Sequence, residues 1–171
     1  MTLAGQKWTI WVRDILIGGA IVIAVLLWQQ RDMLTSNTSV GVNNRHYATT
    51  HGTSEPLLAD GKPTLVYFFA PWCQVCHLSI GNLEYIDNEN IRIVRVALDY
   101  ASEDDVLAFA QQHNIQAPIL YGNEQLKSQF KVDAYPTYYM VNASHEIVSG
   151  TRGYSTAVGL KVREYLTQYK G

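Results

Sequence analysis

Cysteine is scarce in this chain, with two in 171 residues. That excludes a multi-bridge disulfide scaffold and a self-contained four-cysteine zinc site. Charge is scarce as well: charged residues make up 16%, against roughly 25% in ordinary soluble proteins. Part of the chain is therefore not built for water. Neither sign dominates, since thirteen Lys+Arg face fifteen Asp+Glu for a net charge of −2. That balance argues against nucleic acid as a partner. Collagen-like, low-complexity and repeat architectures also fail, because no period or bias of the needed size is present. Tyrosine is plentiful, eleven against four Phe and four Trp.

The missing charge has one address. Ile15–Trp28 reads ILIGGAIVIAVLLW, an uncharged block that as a helix spans about 21 Å, short of the roughly 30 Å hydrocarbon core of a bilayer. Starting at Thr9 gives a full span if Arg13 snorkels to the interface beside Asp14. Trp8, Trp11 and Trp28 then fall where interfacial aromatic belts lie. A signal peptide would need a small-x-small cleavage site, but Gln29-Gln30-Arg31-Asp32 follows. A core helix this apolar would need a larger domain around it. The expectation is an uncleaved single-pass anchor over residues 1–31, with a weak positive bias, Lys7 and Arg13 against Arg31, placing the N-terminus inside. Residues 32–55 are rich in Thr, Ser, Asn and Gly and read as a linker. Residues 56–171 are the right length for one compact domain.

That domain alternates. Thr64–Ala70 is a continuous apolar run, the pattern of a strand buried on both faces. A helix-like stretch follows to Asp87, with Leu78, Leu83 and Ile86 inward, then a strand over Ile91–Leu98. Ser102 with Asp105 three residues on predicts a capped helix whose inward stripe is Val106, Leu107, Ala110 and His113. Pro118–Tyr121 reads as a short strand, Glu124–Lys131 as a short helix, and Thr137–Val141 and Glu146–Ser149 as adjacent strands. Ser155 or Thr156 caps a last helix expected to bury Val158, Val162, Tyr165, Leu166 and Tyr169. The fold class is α/β, a mixed central sheet with helices on both faces.

The chemistry is expected at Trp72-Cys73-Gln74-Val75-Cys76. A thiol in the first turn of a helix meets unpaired N–H groups and the positive end of the helix dipole, both of which favour the thiolate. Cys73 should therefore attack a foreign disulfide, and Cys76, one turn deeper, should resolve the mixed disulfide. A bare CxxC also fits half a zinc site or a structural bridge. Here a hydrophobic strand precedes it, and Ala134-Tyr135-Pro136-Thr137 opens another strand sixty residues on, a candidate cis proline or a plain turn proline.

With these elements the sequence resembles the thioredoxin superfamily, specifically the membrane-anchored TlpA-like thiol-disulfide oxidoreductases. The matching residues are Thr64–Ala70, Pro71 to Cys76, Pro118, Tyr135-Pro136-Thr137 and Gly153-Tyr154-Ser155-Thr156, the last most similar to the suppressor-of-copper-sensitivity D type. The resemblance implies a thioredoxin fold with an αβ insertion at about 91–122, and a cis Pro136 beside Cys73. It implies a substrate groove framed by Trp72, Tyr135 and Pro136, protein dithiol or disulfide substrates, a transmembrane electron-transfer partner and no cofactor. It also implies a periplasmic domain tethered to a bacterial inner membrane, more often reducing than oxidising. Four positions depart from the pattern: Tyr67 stands where a buried acid is common, Gln74-Val75 replaces Gly-Pro, and Gly81 replaces a helix-bending proline.

Cys73-Gln74-Val75-Cys76-His77 also matches the c-type haem attachment signature, with His77 as axial ligand and Met140 as a distal candidate. The motif ends a buried strand instead of lying on a helix around a haem-sized cavity, so this is the weaker reading. His46, His51, His113 and His145 show no metal spacing. A redox-inert binding module would have no use for both cysteines.

Overall fold

In the computed structural model the described residues are 3–30, 33–34, 38–39, 45–58, 61–87 and 89–170. The chain forms two units, Met1–Asp32 and Met33–Gly171. The first is one helix, α1 (Leu3–Gln30, 28 residues). Trp11, Ile15, Leu16, Ile17, Ile21, Ile23 and Val25 are all exposed on it, and Arg13 pairs with Asp14 at 3.0 Å. The side chains of Trp8 and Trp28 lie outside the described part. Among the described residues no helix is long and apolar enough to cross a membrane. The expected span therefore does not stand on these residues alone. The Arg13–Asp14 pair cuts the apolar run, and the uncharged block beyond it covers about 21 Å.

The second unit is built on a five-stranded sheet in the order β5-β4-β3-β6-β7. Its members are β3 (Thr64–Phe69), β4 (Arg92–Ala97), β5 (Ile119–Tyr121), β6 (Thr137–Val141) and β7 (Ile147–Arg152). The first three run parallel, while β6 and β7 are antiparallel to their neighbours. Every residue of β3 is buried because both faces of the sheet are covered. Leu65, Tyr67 and Phe69 face one cluster, with α2 (Gln74–Ser79), a 3-10 helix (Ile80–Tyr85), α3 (Glu103–Gln112) and Leu160 of α5 (Ala157–Lys170). Val66 and Phe68 face the other, with Leu126 and Phe130 of α4 (Glu124–Gln129) and its C-terminal end. The mixed sheet with helices on both faces is thus as expected, and α3 leads, within 91–122, to the edge strand β5.

Three features differ from the sequence reading. Residues 32–55 are not bare linker: β1 (His46–Ala48) and β2 (Ser54–Pro56) pair antiparallel. Tyr47, Thr49 and Met33 are buried. Thr49 bridges Leu120 and the Thr50 N–H donates to Ile119 O at 3.0 Å, so this segment covers the open edge of β5. The helix expected to run to Asp87 changes type at Ile80, next to Gly81; Leu83 and Ile86 are buried, but Leu78 is exposed.

The third difference is the face of α5. Val158, Val162, Tyr165 and Leu166, expected inward, are 73%, 54%, 68% and 48% exposed, and Leu160, Glu164 and Thr167 are buried instead. These three fall at i, i+4 and i+7, one stripe of a helix. Glu164 fixes the rotation, accepting the Asp87 N–H at 3.2 Å and pairing with Lys161 at 2.9 Å. The side chain of Tyr169 lies outside the described part.

Candidate active site

The strand β3 ends at Phe69, and the chain turns so that the Cys73 N–H donates to Ala70 O at 3.0 Å. Cys73 then sits at the N-cap of α2 with extended backbone, φ −80° and ψ 109°. Its Sγ accepts the Cys76 N–H at 3.2 Å, the place where a capping oxygen would satisfy an orphan helix donor. Cys73 and Cys76 are joined in a disulfide with Cα atoms 5.2 Å apart. Cys73 keeps 6% of its surface and Cys76 none. A reaction partner can therefore reach only the first sulfur directly.

Beneath Cys76 lies a hydroxyl cluster instead of a carboxylate. The Tyr67 hydroxyl lies 3.4 Å from Cys76 O, a bond it donates, and 3.1 Å from Ser79 Oγ. The Tyr138 ring packs against Tyr67 with centroids 4.9 Å apart. Burial above all, and then Tyr138, push the Tyr67 phenol far up, so it keeps its proton. Tyr67 therefore fills the position of the expected acid without being able to act as a base.

The Tyr135–Pro136 peptide bond is cis, and Tyr135 packs against the cluster that contains both cysteines. Trp72 is 63% exposed and meets Tyr135 edge-on, ring centroids 5.8 Å apart. Asp99, which the sequence reading passed over, holds this pair. Its carbonyl accepts the Trp72 indole N–H at 2.8 Å. Its carboxylate accepts the Tyr135 hydroxyl at 2.9 Å and pairs with Lys127 Nζ at 2.7 Å. Asp99 adopts φ 47°, a left-handed conformation that Asp tolerates better than most residues. Burial, followed by Asp99, raises the Tyr135 phenol; the Asp99 hydrogen bond raises Lys127.

On the other side of Trp72 an open cavity of about 680 Å³ is lined by Trp72, His77, Asp99, Tyr100, Asp105 and Phe109, among others. His77 bonds Pro71 O through Nε2 at 2.9 Å and His113 through Nδ1 at 2.7 Å. Both ring nitrogens are thus engaged and both cysteine sulfurs are joined to each other, so these residues do not fit covalent haem attachment with His77 as ligand. Met140, the distal candidate, is packed in β6 within the same core cluster as both cysteines. Among the described residues no three His, Cys, Asp or Glu gather to hold a metal ion.

Residues 46–149, more than half of the chain, match the AhpC/TSA family. The chain belongs to that family. Its curated relatives include the thioredoxin-like protein YneN of Bacillus subtilis, 30% identical over 89 residues, 49% of this chain and 52% of the relative. The matched segment thus spans about half of that protein's length. Among solved structures it is similar to StoA from Bacillus subtilis, with a TM-score of 0.62 at 21% identity over 71% of this chain and 97% of that one. A secreted Mycobacterium tuberculosis disulfide oxidoreductase gives 0.63 at 18% identity over 71% and 95%. At these identities the structures show the fold, which is the thioredoxin fold. The family member thus carries a disulfide-capable CxxC pair, Cys73 and Cys76, at the start of a helix.

Proposed function

We propose that this family member is a thiol-disulfide oxidoreductase that exchanges the Cys73–Cys76 pair with protein substrates. One observation carries the reading: the less buried sulfur caps a helix N-terminus while its bonded partner is sealed below it. Breaking that bond leaves a Cys73 thiolate facing helix N–H groups, a nucleophile ready near neutral pH. Cys73 attacks, Cys76 resolves, and Trp72, Tyr135 and Pro136 frame the groove in which a substrate strand docks. Replacing Cys76 with Ser should trap clients on Cys73 as mixed disulfides that dithiothreitol releases. A Cys76→Ser protein that traps nothing in native membranes would overturn the proposal.

The finer reading is a TlpA-like protein of the suppressor-of-copper-sensitivity D type, held at a bacterial inner membrane by α1 and working in the periplasm. The supporting features are the exposed apolar side chains along α1 and the Gly153-Tyr154-Ser155-Thr156 entry to α5. The domain acts as a reductant, refilled by a transmembrane dithiol donor because that compartment is kept oxidising. A reduction potential near about −270 mV supports this direction, and one near about −120 mV reverses it. Extraction by alkaline carbonate without detergent would remove the tether from the account.

A further inference from the structure

The histidine pair beside the motif has no role in the exchange described above. His77 lies one turn after Cys73, its N–H bonded to Cys73 O at 3.2 Å. Its ring reaches back to Pro71, in the turn that delivers Cys73, and across to His113, 36 residues away at the C-cap of α3. A carbonyl only accepts, so His77 carries its hydrogen on Nε2 and offers Nδ1 as acceptor. His113 must then donate through Nε2, which leaves its Nδ1 as the one place where the pair can take a proton without breaking either bond. A second proton would turn both facing nitrogens into donors. The geometry is that of a two-ring holder for a single charge.

The surroundings suit a charge that comes and goes. On the His77 side the cavity brings Asp99, Tyr100 and Asp105 into view. The Asp99 carboxylate is taken by Lys127 and Tyr135, and Asp105 by the Ser102 N–H at 2.9 Å. On the His113 side a cavity of about 210 Å³ is lined by Glu84 and Arg95, whose charges oppose each other. Phe109 packs against both imidazoles, with centroids 4.7 Å from each. Burial and then His77 hold His113 below its ordinary value while the cysteines are bonded. The α3 C-terminus, where His113 sits, favours a cation once a nearby anion offsets that cost.

Taking the exchange activity as read, we infer that His113, through His77, stores the proton that keeps Cys73 a thiolate after reduction. A donor dithiol gives two electrons and two protons: its own S–S bond forms as the Cys73–Cys76 bond breaks. One proton makes the Cys76 thiol. The other rests on Nδ1 of His113, and Cys73 stays an anion. Reoxidation by a client disulfide returns both protons to the client's thiols. The phenols under Cys76 cannot hold this proton, since burial keeps Tyr67 and Tyr138 protonated already. His77 and His113 are thus positioning residues that act through charge, without touching the substrate.

The test uses the full-length protein in detergent. The histidine ring resonances are followed by NMR across pH 5 to 8 in the oxidised and reduced states, and Cys73 ionisation by thiolate absorbance. Reduction should raise the proton affinity of His113 on the order of tenfold, the size expected for a new unit charge in a partly buried site. His113→Gln keeps a neutral donor toward His77 but stores no proton. It should weaken Cys73 acidity severalfold and remove the matching inflection from the pH profile of exchange. Identical histidine titrations in the two redox states, or an unmoved Cys73 in His113→Gln, overturn the inference even while wild-type exchange persists. Loss of all exchange in the wild type overturns the proposed function itself, whatever the histidines do.

Discussion

Along β3, Leu65, Tyr67 and Phe69 join the cluster that holds both cysteines, while Val66 and Phe68 join a second one with Met33, Phe130 and Tyr139. The two faces differ in chemistry. Behind the cysteines, hydroxyls of Tyr67 and Ser79 are set at the base of α2. On the opposite face Phe68 meets Phe130 at 5.0 Å and Tyr139 at 6.4 Å, ring against ring. One buried strand thus stabilises the domain on one side and shapes the environment of a reactive bond on the other. Alternation of side chains along a strand makes that division possible.

The comparison is broken most sharply by Phe68→Ala. Deleting a fully buried ring should cost about 3–5 kcal/mol in denaturant unfolding, with the Cys73–Cys76 potential of the surviving folded fraction unchanged. Tyr67→Phe on the other face removes one hydroxyl and leaves Ser79 its own bond to Cys76 O at 3.4 Å. Stability should fall by about 1 kcal/mol, and here the potential should move. If instead Phe68→Ala shifts the potential and Tyr67→Phe does not, the division between faces is wrong.

Asp99→Gly tests the outer rim of the cysteine face. Glycine accepts the positive φ and keeps the carbonyl for Trp72, so only the bonds to Tyr135 and Lys127 are lost. Client KM should rise by about tenfold, worth about 1.4 kcal/mol, with little change in the melting curve. The smallest effect concerns pH. The folded chain holds His113 below its ordinary value while oxidised, so the unfolded chain takes up the proton first as pH falls. The stability from this site is full above about pH 6.5 and drains away as pH drops toward the folded value. In thermal melts of the oxidised protein, His113→Gln should flatten that slope.

What was legible in the sequence is local. The apolar run Thr64–Ala70, the two cysteines three apart and Ser102 with Asp105 each carry their signal within one element, and the structure forms a buried strand, a disulfide and a capping box there. What was missed depends on distant partners. Asp99 meets Trp72 across 27 residues and Tyr135 across 36, and no spacing announces either. His113 was expected on the inward stripe of α3, but its bond to His77 needs α2 and α3 side by side. The helix α5 was read backwards because Val158, Val162, Tyr165 and Leu166 share helical spacing. The buried stripe carries Glu164 and Thr167, polar residues whose partners lie elsewhere in the chain or on the helix backbone.

The central claim is that Cys73 attacks and Cys76 waits beneath it. Brief iodoacetamide labelling of the reduced full-length protein near pH 6, followed by peptide mass spectrometry, tests it most directly. The account predicts alkylation of Cys73 at a rate at least about a hundredfold above Cys76, as a thiolate at a helix N-terminus requires. Equal labelling of the two, or preferential labelling of Cys76, would contradict it.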